Sequence, residues 1–162
     1  MTHSLFGYAL ARALPGHDRA SPERQRAEIW TSVVASNLPD ADVLFGFFAR
    51  DRRLGYLLEH RGATHTLLAA LPIGIVSGLG CAAIARARTA RDRWVCCLLG
   101  VLACLLHIGF DSLNNYGVQA FSPFDDHWYY GDSLFIVEPL LLFALLPLLA
   151  WRGHTGIGRA MG

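Results

Sequence analysis

The residues best suited to chemistry in this chain of 162 amino acids are histidines and aspartates, and most of them fall in short, closely spaced groups. His107 and Asp111 are four residues apart, so a helix places both on one face about a turn apart, where they could reach one ion. Asn115 extends the same stripe if the helix continues. Asp40 and Asp42 flank a single alanine after Pro39, and in an extended or turn segment their carboxylates point roughly the same way. His60-Arg61-Gly62-Ala63-Thr64-His65 sets two imidazoles around a glycine-containing turn that would let the rings converge. His3, near the start, and Asp132, late in the chain, complete the candidate set. Imidazole and carboxylate without thiolate suit a divalent metal, zinc first, with manganese or iron as alternatives. The candidates outnumber the ligands of one tetrahedral ion, so either one or two ions fit. A two-metal centre would activate water between the ions, chemistry suited to phosphoester cleavage. Asp132 or an aspartate of the Asp40/Asp42 pair is the candidate general base, and Arg61 is placed to neutralise a phosphate.

Each group has a plainer reading when taken alone. The His107/Asp111 pair fits a structural hydrogen bond across a turn as well as metal ligation, and Pro39-Asp40-Ala41-Asp42 fits an ordinary capped turn. His17, His127 and His154 read as interfacial or hydrogen-bonded residues and are left out of the site. Cys81, Cys96, Cys97 and Cys104 lie inside apolar runs, without C-x-x-C or zinc-finger spacing, and read as small hydrophobes. Glu138 reads as a partly buried acid with a partner on a neighbouring helix.

The elements that must position these groups are those of a membrane protein. Hydrophobic residues make up 53% of the chain, high for a soluble domain of this length. The net charge is +1 and every basic residue is arginine, which disfavours a nucleic-acid partner. No signal peptide of the usual order is present, because the basic n-region is missing and Arg12 interrupts the first apolar run, so the N-terminus is expected to stay on the mature protein. Residues 66–85, 94–110 and 134–151 are long and apolar enough to be spans. Ahead of them, a helix from Thr2 to about Leu14 would align His3, Phe6, Leu10 and Leu14 on one stripe. A second helix starts at Ser21-Pro22-Glu23, carries Trp30, Val33, Val34 and Leu38 at roughly helical spacing, and ends at Pro39. Thr64 is available to cap the first span. The expected fold is all-α: a single multi-pass membrane helical bundle over residues 1–162. It has an N-terminal part (1–65) of amphipathic or partly inserted helices, a three-span region (66–151) and a basic tail (152–162).

Span counting gives the scattered ligands a common address. Asp40, Asp42, His60 and His65 precede the first span, His107 and Asp111 close the second, and Asp132 opens the third, so all emerge on one membrane face whichever way the chain inserts. Four arginines at 86–93 draw the loop between the first two spans to the cytoplasm, and Arg152 and Arg159 tip the near-tie with the flank before the first span. That puts the ligand face on the non-cytoplasmic side. Trp94, Trp128, Tyr129, Tyr130 and Trp151 fit an aromatic belt.

The segments L-P-D-A-D at 38–42, H-R-G-A-T-H at 60–65 and H-I-G-F-D at 107–111, followed by N-Y-G and S-P-F, resemble the YdjM-like family of membrane-bound metal-dependent hydrolases. Thr2-His3 and Gly131-Asp132 are similar to that family's pattern as well, and H-R-G-x-T-H is the most specific piece. The resemblance implies an integral membrane helical protein that hydrolyses its substrate with metal. A distant similarity in site design to zinc-dependent phospholipase C enzymes implies a phosphodiester or lipid headgroup as substrate, with membrane lipid as the surrounding partner. Thr66 stands where such families carry a serine. Two other classes remain open: a metal-handling or transport protein with an ion path, and a non-catalytic membrane partner with a structural metal. Oligomeric state is open.

Overall fold

The computed structural model describes residues 2–43, 63–115 and 117–133, and among these the chain is helical with no strand. The expected third span at 134–151, the tail at 152–162, and His60, Arg61 and Glu138 lie outside the described residues. Among the described residues four α-helices carry the fold: α1 (Thr2–Ala13), α2 (Pro22–Ala35), α3 (Leu67–Ile84) and α4 (Ala90–Ser112).

Two of the helices, α3 and α4, are long and apolar enough to cross a membrane. Their packing is of the membrane kind. Among the described residues, the buried apolar side chains are mostly alanine and cysteine, whereas Leu68, Leu71, Val76, Leu79, Leu98 and Leu102 face outward. A soluble core does the opposite. In hydrocarbon there is no gain from hiding leucine, so helices associate through small residues that let backbones approach. Ala70, Gly74, Gly78 and Ala82 form such a ridge along α3, one small residue per turn. A Cβ on Gly74 would collide with the Val101 backbone, and one on Gly78 with the backbone of Cys96 and Cys97. The pairings 74 with 101 and 78 with 96–97 make α3 and α4 antiparallel. Each helix begins at a threonine: Thr66 accepts the Ala69 N–H at 3.0 Å, and Thr89 accepts the Asp92 N–H at 3.1 Å. The cap of the first span is therefore Thr66; Thr64, the expected cap, turns its hydroxyl to Asp42 instead. Between the helices, Arg86 adopts φ 63° and the Ala87 N–H reaches Ala82 O at 2.9 Å, a Schellman stop.

The N-terminal part folds as a helical hairpin against this pair. Ser21 caps α2 and Pro22 opens it, as the sequence predicts. The helix ends at Ala35, however, short of Pro39, with Ser36 as its C-cap and a 3-10 turn over Pro39–Asp42. Its buried face is also not the apolar one. Ala27, Glu28, Thr31, Ser32 and Ala35 are buried, while Trp30, Val34 and Leu38 are exposed. The apolar side chains Trp30, Val34 and Leu38, which recur at roughly helical spacing, point away from a bundle interior of small and polar side chains. In α1 the stripe of His3, Phe6 and Leu10 does face α4, where Phe6 stacks on Phe110 with ring centroids 4.2 Å apart. Gly7 lets α1 close on α2, since a Cβ there would strike Ser32 O and Ser36 Oγ.

Candidate metal centre

At the end of the bundle where α3 starts and α4 finishes, four donors converge. One ligand atom each from Asp40, His65, His107 and Asp111 lies within 4.8 Å of the others, and the last three residues are buried. Asp40 comes from the 3-10 turn after α2, and His65 from the 3-10 turn Ala63–His65 that leads into α3. His107 and Asp111 come from the last turns of α4, one turn apart as their spacing predicts.

The second nitrogen of each imidazole decides what the first can do. His107 Nδ1 stands 2.9 Å from the Ser36 carbonyl, which only accepts, so the ring carries its proton there and turns the Nε2 lone pair inward. That carbonyl is available because α2 stops at Ala35 and leaves its last C=O groups without helical partners. His65 Nδ1 stands 3.1 Å from Thr64 Oγ1, and this hydroxyl donates to Asp42 Oδ2 at 2.8 Å. A hydroxyl has one proton to give, so it accepts from His65 Nδ1–H, and Asp42 itself lies 3.4 Å from that nitrogen. Both inward nitrogens are thereby prepared as ligands, by the outer-sphere bonding that metal-binding histidines use. The two Nε2 atoms are 3.1 Å apart. Two lone pairs at that distance in a buried site repel unless a cation lies between them.

The remaining separations have the scale of a coordination shell. His65 Nε2 is 3.4 Å from Asp40 Oδ1 and 3.6 Å from Asp111 Oδ2; His107 Nε2 is 3.6 Å and 3.7 Å from the same two oxygens. Bonds of about 2.0–2.1 Å to a tetrahedral ion put neighbouring donors about 3.3–3.4 Å apart. The four residues therefore fit a divalent cation in size and chemistry. Their electrostatics agree. Burial works against a charge on His65, but the carboxylates of Asp111, Asp40 and Asp42 outweigh it and lift the imidazole to about 10. Burial alone would raise the Asp40 carboxyl, yet the hydrogen bond from His65 and the nearby His107 leave it lowered. Without metal, a proton on His65 supplies the positive charge that the cluster demands.

The other candidate residues take different places. His3 Nε2 lies 3.5 Å from Asp111 Oδ1, and its ring packs on His107 with centroids 4.1 Å apart, so it flanks the four donors from α1. Asp42 backs His65 from the outer side. Asp132 is exposed, at φ 48°, in the turn beside Leu113, and stands outside the four-donor group. Asn115 falls beyond the end of α4 and does not extend its stripe; Asn114 is the buried one, accepting the Gly117 N–H at 3.0 Å. His17, set aside in the sequence as interfacial or hydrogen-bonded, is hydrogen-bonded: it is fully buried at the opposite end of the bundle, 2.5 Å from Glu28. Eleven residues separate the two, and no local spacing announces the pair.

Comparison with known proteins agrees with this architecture. The chain is 26% identical to the "Uncharacterized protein YfhP" of Bacillus subtilis (strain 168), over 96% of this chain and 47% of that protein, so it spans about half the relative's length. No solved structure matches. Residues 1–161 match the family model described as YdjM inner membrane protein. A family match over nearly the whole chain, two helices able to cross a membrane and an inward polar cluster lead to one assignment: the chain belongs to the YdjM inner membrane protein family.

Proposed function

We propose that this protein is a multi-pass membrane hydrolase whose Asp40, His65, His107 and Asp111 hold a divalent metal, zinc by preference, for cleavage of a phosphoester or lipid-like substrate. The observation that carries the reading is the pair of prepared Nε2 lone pairs 3.1 Å apart, with two carboxylates at 3.4–3.7 Å. Such an ion, when bound, lowers the pKa of a water and polarises the ester. The chain's own residues do the rest. The Ser36 carbonyl and the Thr64–Asp42 pair hold the imidazoles in one tautomer and direction. Asp40, with a side chain 38% exposed, is the donor closest to solvent and is placed to take a proton from an entering water. His3 lines the side of the site formed by α1 and α4, where Phe6, Leu10 and Phe110 present an apolar wall suited to the hydrocarbon part of a lipid. The arginines at 86–93, on the loop at the far end, favour a non-cytoplasmic position for the metal face.

A test is hydrolysis of phosphodiester and phospholipid substrates by protein extracted in mild detergent, before and after chelation. Activity lost on chelation and restored by zinc or manganese supports the proposal; stoichiometric metal with no turnover of any such substrate favours a structural ion. The buried His17–Glu28 pair, at the end of the bundle away from the metal centre, gives a second reading some footing, because an ion path needs titratable groups inside the bundle at both ends. Metal flux in reconstituted vesicles, absent from a hydrolase, separates the two.

A further inference from the structure

We propose that the α1–α2 hairpin is itself embedded in the bilayer, running from the metal face to the opposite face, with lipid hydrocarbon covering the outer faces of α1 and α2. This extends the multi-pass reading from α3 and α4 to the N-terminal part. The hairpin is tied to α4 at both ends. At the metal end His3 packs on His107, and the Ser36 carbonyl meets the same ring. At the other end Arg24 reaches Asp92 in the first turn of α4 at 3.6 Å and holds Glu28 at 2.8 Å, while Glu28 holds His17. Asp92 to His107 is fifteen residues of helix, about 22 Å at 1.5 Å per residue, most of a hydrocarbon core of about 30 Å. Whatever depth α4 crosses between those residues, α1 and α2 cross beside it. Local thinning of the bilayer would take up the remainder.

The polarity of the hairpin matches that placement. Its polar side chains Glu28, Thr31, Ser32 and Ser36 are buried, whereas Trp30, Val34 and Leu38 are exposed, as are the outer leucines and valine of α3 and α4. In water this would be an inverted helix; in lipid it is the stable arrangement. The charges agree as well. Glu23, Arg26 and the Arg12–Asp18 pair all sit at the Asp92 end, at the level of lipid headgroups, and from Ala27 to Leu38 the one charged side chain is the buried Glu28. Gly16, at φ 84°, turns the chain there.

The test uses the full chain in right-side-out and inverted membrane vesicles, with Asp18→Cys, Arg91→Cys and Phe124→Cys as single variants and a membrane-impermeant maleimide. The parent protein, whose four cysteines are buried, gives the background. Asp18 and Phe124 have ample exposure, Asp18 at 67% of its side chain and Phe124 at 87%. The expected result is that Asp18→Cys labels from the same side as Arg91→Cys and from the side opposite to Phe124→Cys. If Arg91→Cys and Phe124→Cys label from opposite sides but Asp18→Cys labels with Phe124→Cys, the hairpin lies on the metal face and the proposal is overturned. If all three label from one side, the two-span reading fails with it. A nitroxide at Val34 then reports what covers α2, with Val76 on α3 as the lipid reference and Trp30 as a second site if the Val34 variant folds poorly. Oxygen accessibility at least several-fold above that of a water-soluble nickel chelate, as at Val76, supports hydrocarbon contact. Access to the nickel chelate, or shielding from both reagents by a second copy or another segment, overturns it.

Discussion

Replacing Asp42 separates a ligand from the residue that aims a ligand. Asp42 is buried, and its Oδ2 takes the Thr64 hydroxyl at 2.8 Å while lying 3.4 Å from His65 Nδ1, on the side of the ring away from the four-donor centre. Removing such an outer-sphere partner costs about 10–100-fold in metal affinity, or about 1.4–2.8 kcal/mol. Asp42→Asn keeps an acceptor of the same shape without the charge and should fall at about the tenfold end; Asp42→Ala, which leaves the Thr64 hydroxyl without its acceptor and removes the carboxylate beside His65 Nδ1–H, should fall near a hundredfold. His65→Ala, which deletes a donor, should abolish stoichiometric binding. The assay is competition for zinc against a chelator of known affinity in detergent solution, with all three variants checked for native size. If Asp42→Ala binds zinc like the parent, the orienting role is wrong. If it binds as poorly as His65→Ala, Asp42 is itself a ligand and the four-donor assignment needs revision.

Other consequences can be checked alongside. His65 is lifted from its ordinary 6.5 to about 10 in the metal-free protein, so a bound metal must displace its proton. Zinc affinity should therefore rise by about tenfold per pH unit between pH 7 and 9, read by the same competition assay. Because the folded-state value is raised, the stability that His65 contributes to the metal-free protein is fully present below 6.5 and lost as pH climbs through about 10; thermal melts across that window should show the decline. Gly74→Leu and Gly78→Leu drive side chains into the α4 backbone and should each destabilise by about 1–3 kcal/mol or prevent folding, whereas Gly80→Leu, with nothing within 4 Å of its added carbon, should leave denaturation in detergent unchanged. Glu28→Ala leaves the buried His17 without its partner and Arg24 with Asp92 alone, and should cost about 1–3 kcal/mol on the same unfolding curve.

What could be read from the chain and what could not divide along physical lines. The His107/Asp111 pair was legible because helical spacing fixes a shared face, and the meeting of Asp40 and His65 with that pair followed from counting apolar runs, which requires no tertiary detail. The stripe of His3, Phe6 and Leu10 was equally plain. The inner face of α2 was not legible, because the recurrence of Trp30, Val34 and Leu38 would mark a core in water and marks the outside beside lipid, and spacing alone does not distinguish the two. Thr64 and Thr66 carry the same hydroxyl two residues apart; only the path of the 3-10 turn decides that one caps α3 and the other supports His65. The role of Asp42 depends on which ring nitrogen it approaches, and that of His17 on a partner from another element. Neither is a property of local sequence.

The proposed metal centre of Asp40, His65, His107 and Asp111 stands or falls on metal content. Elemental analysis of the protein, extracted gently in mild detergent and compared with His65→Ala and His107→Ala, tests it most directly. At least one divalent ion per chain is expected in the parent, with loss of that ion in both variants. A parent that takes up no divalent metal even when zinc or manganese is supplied, or variants that retain the parent's full content, would contradict it.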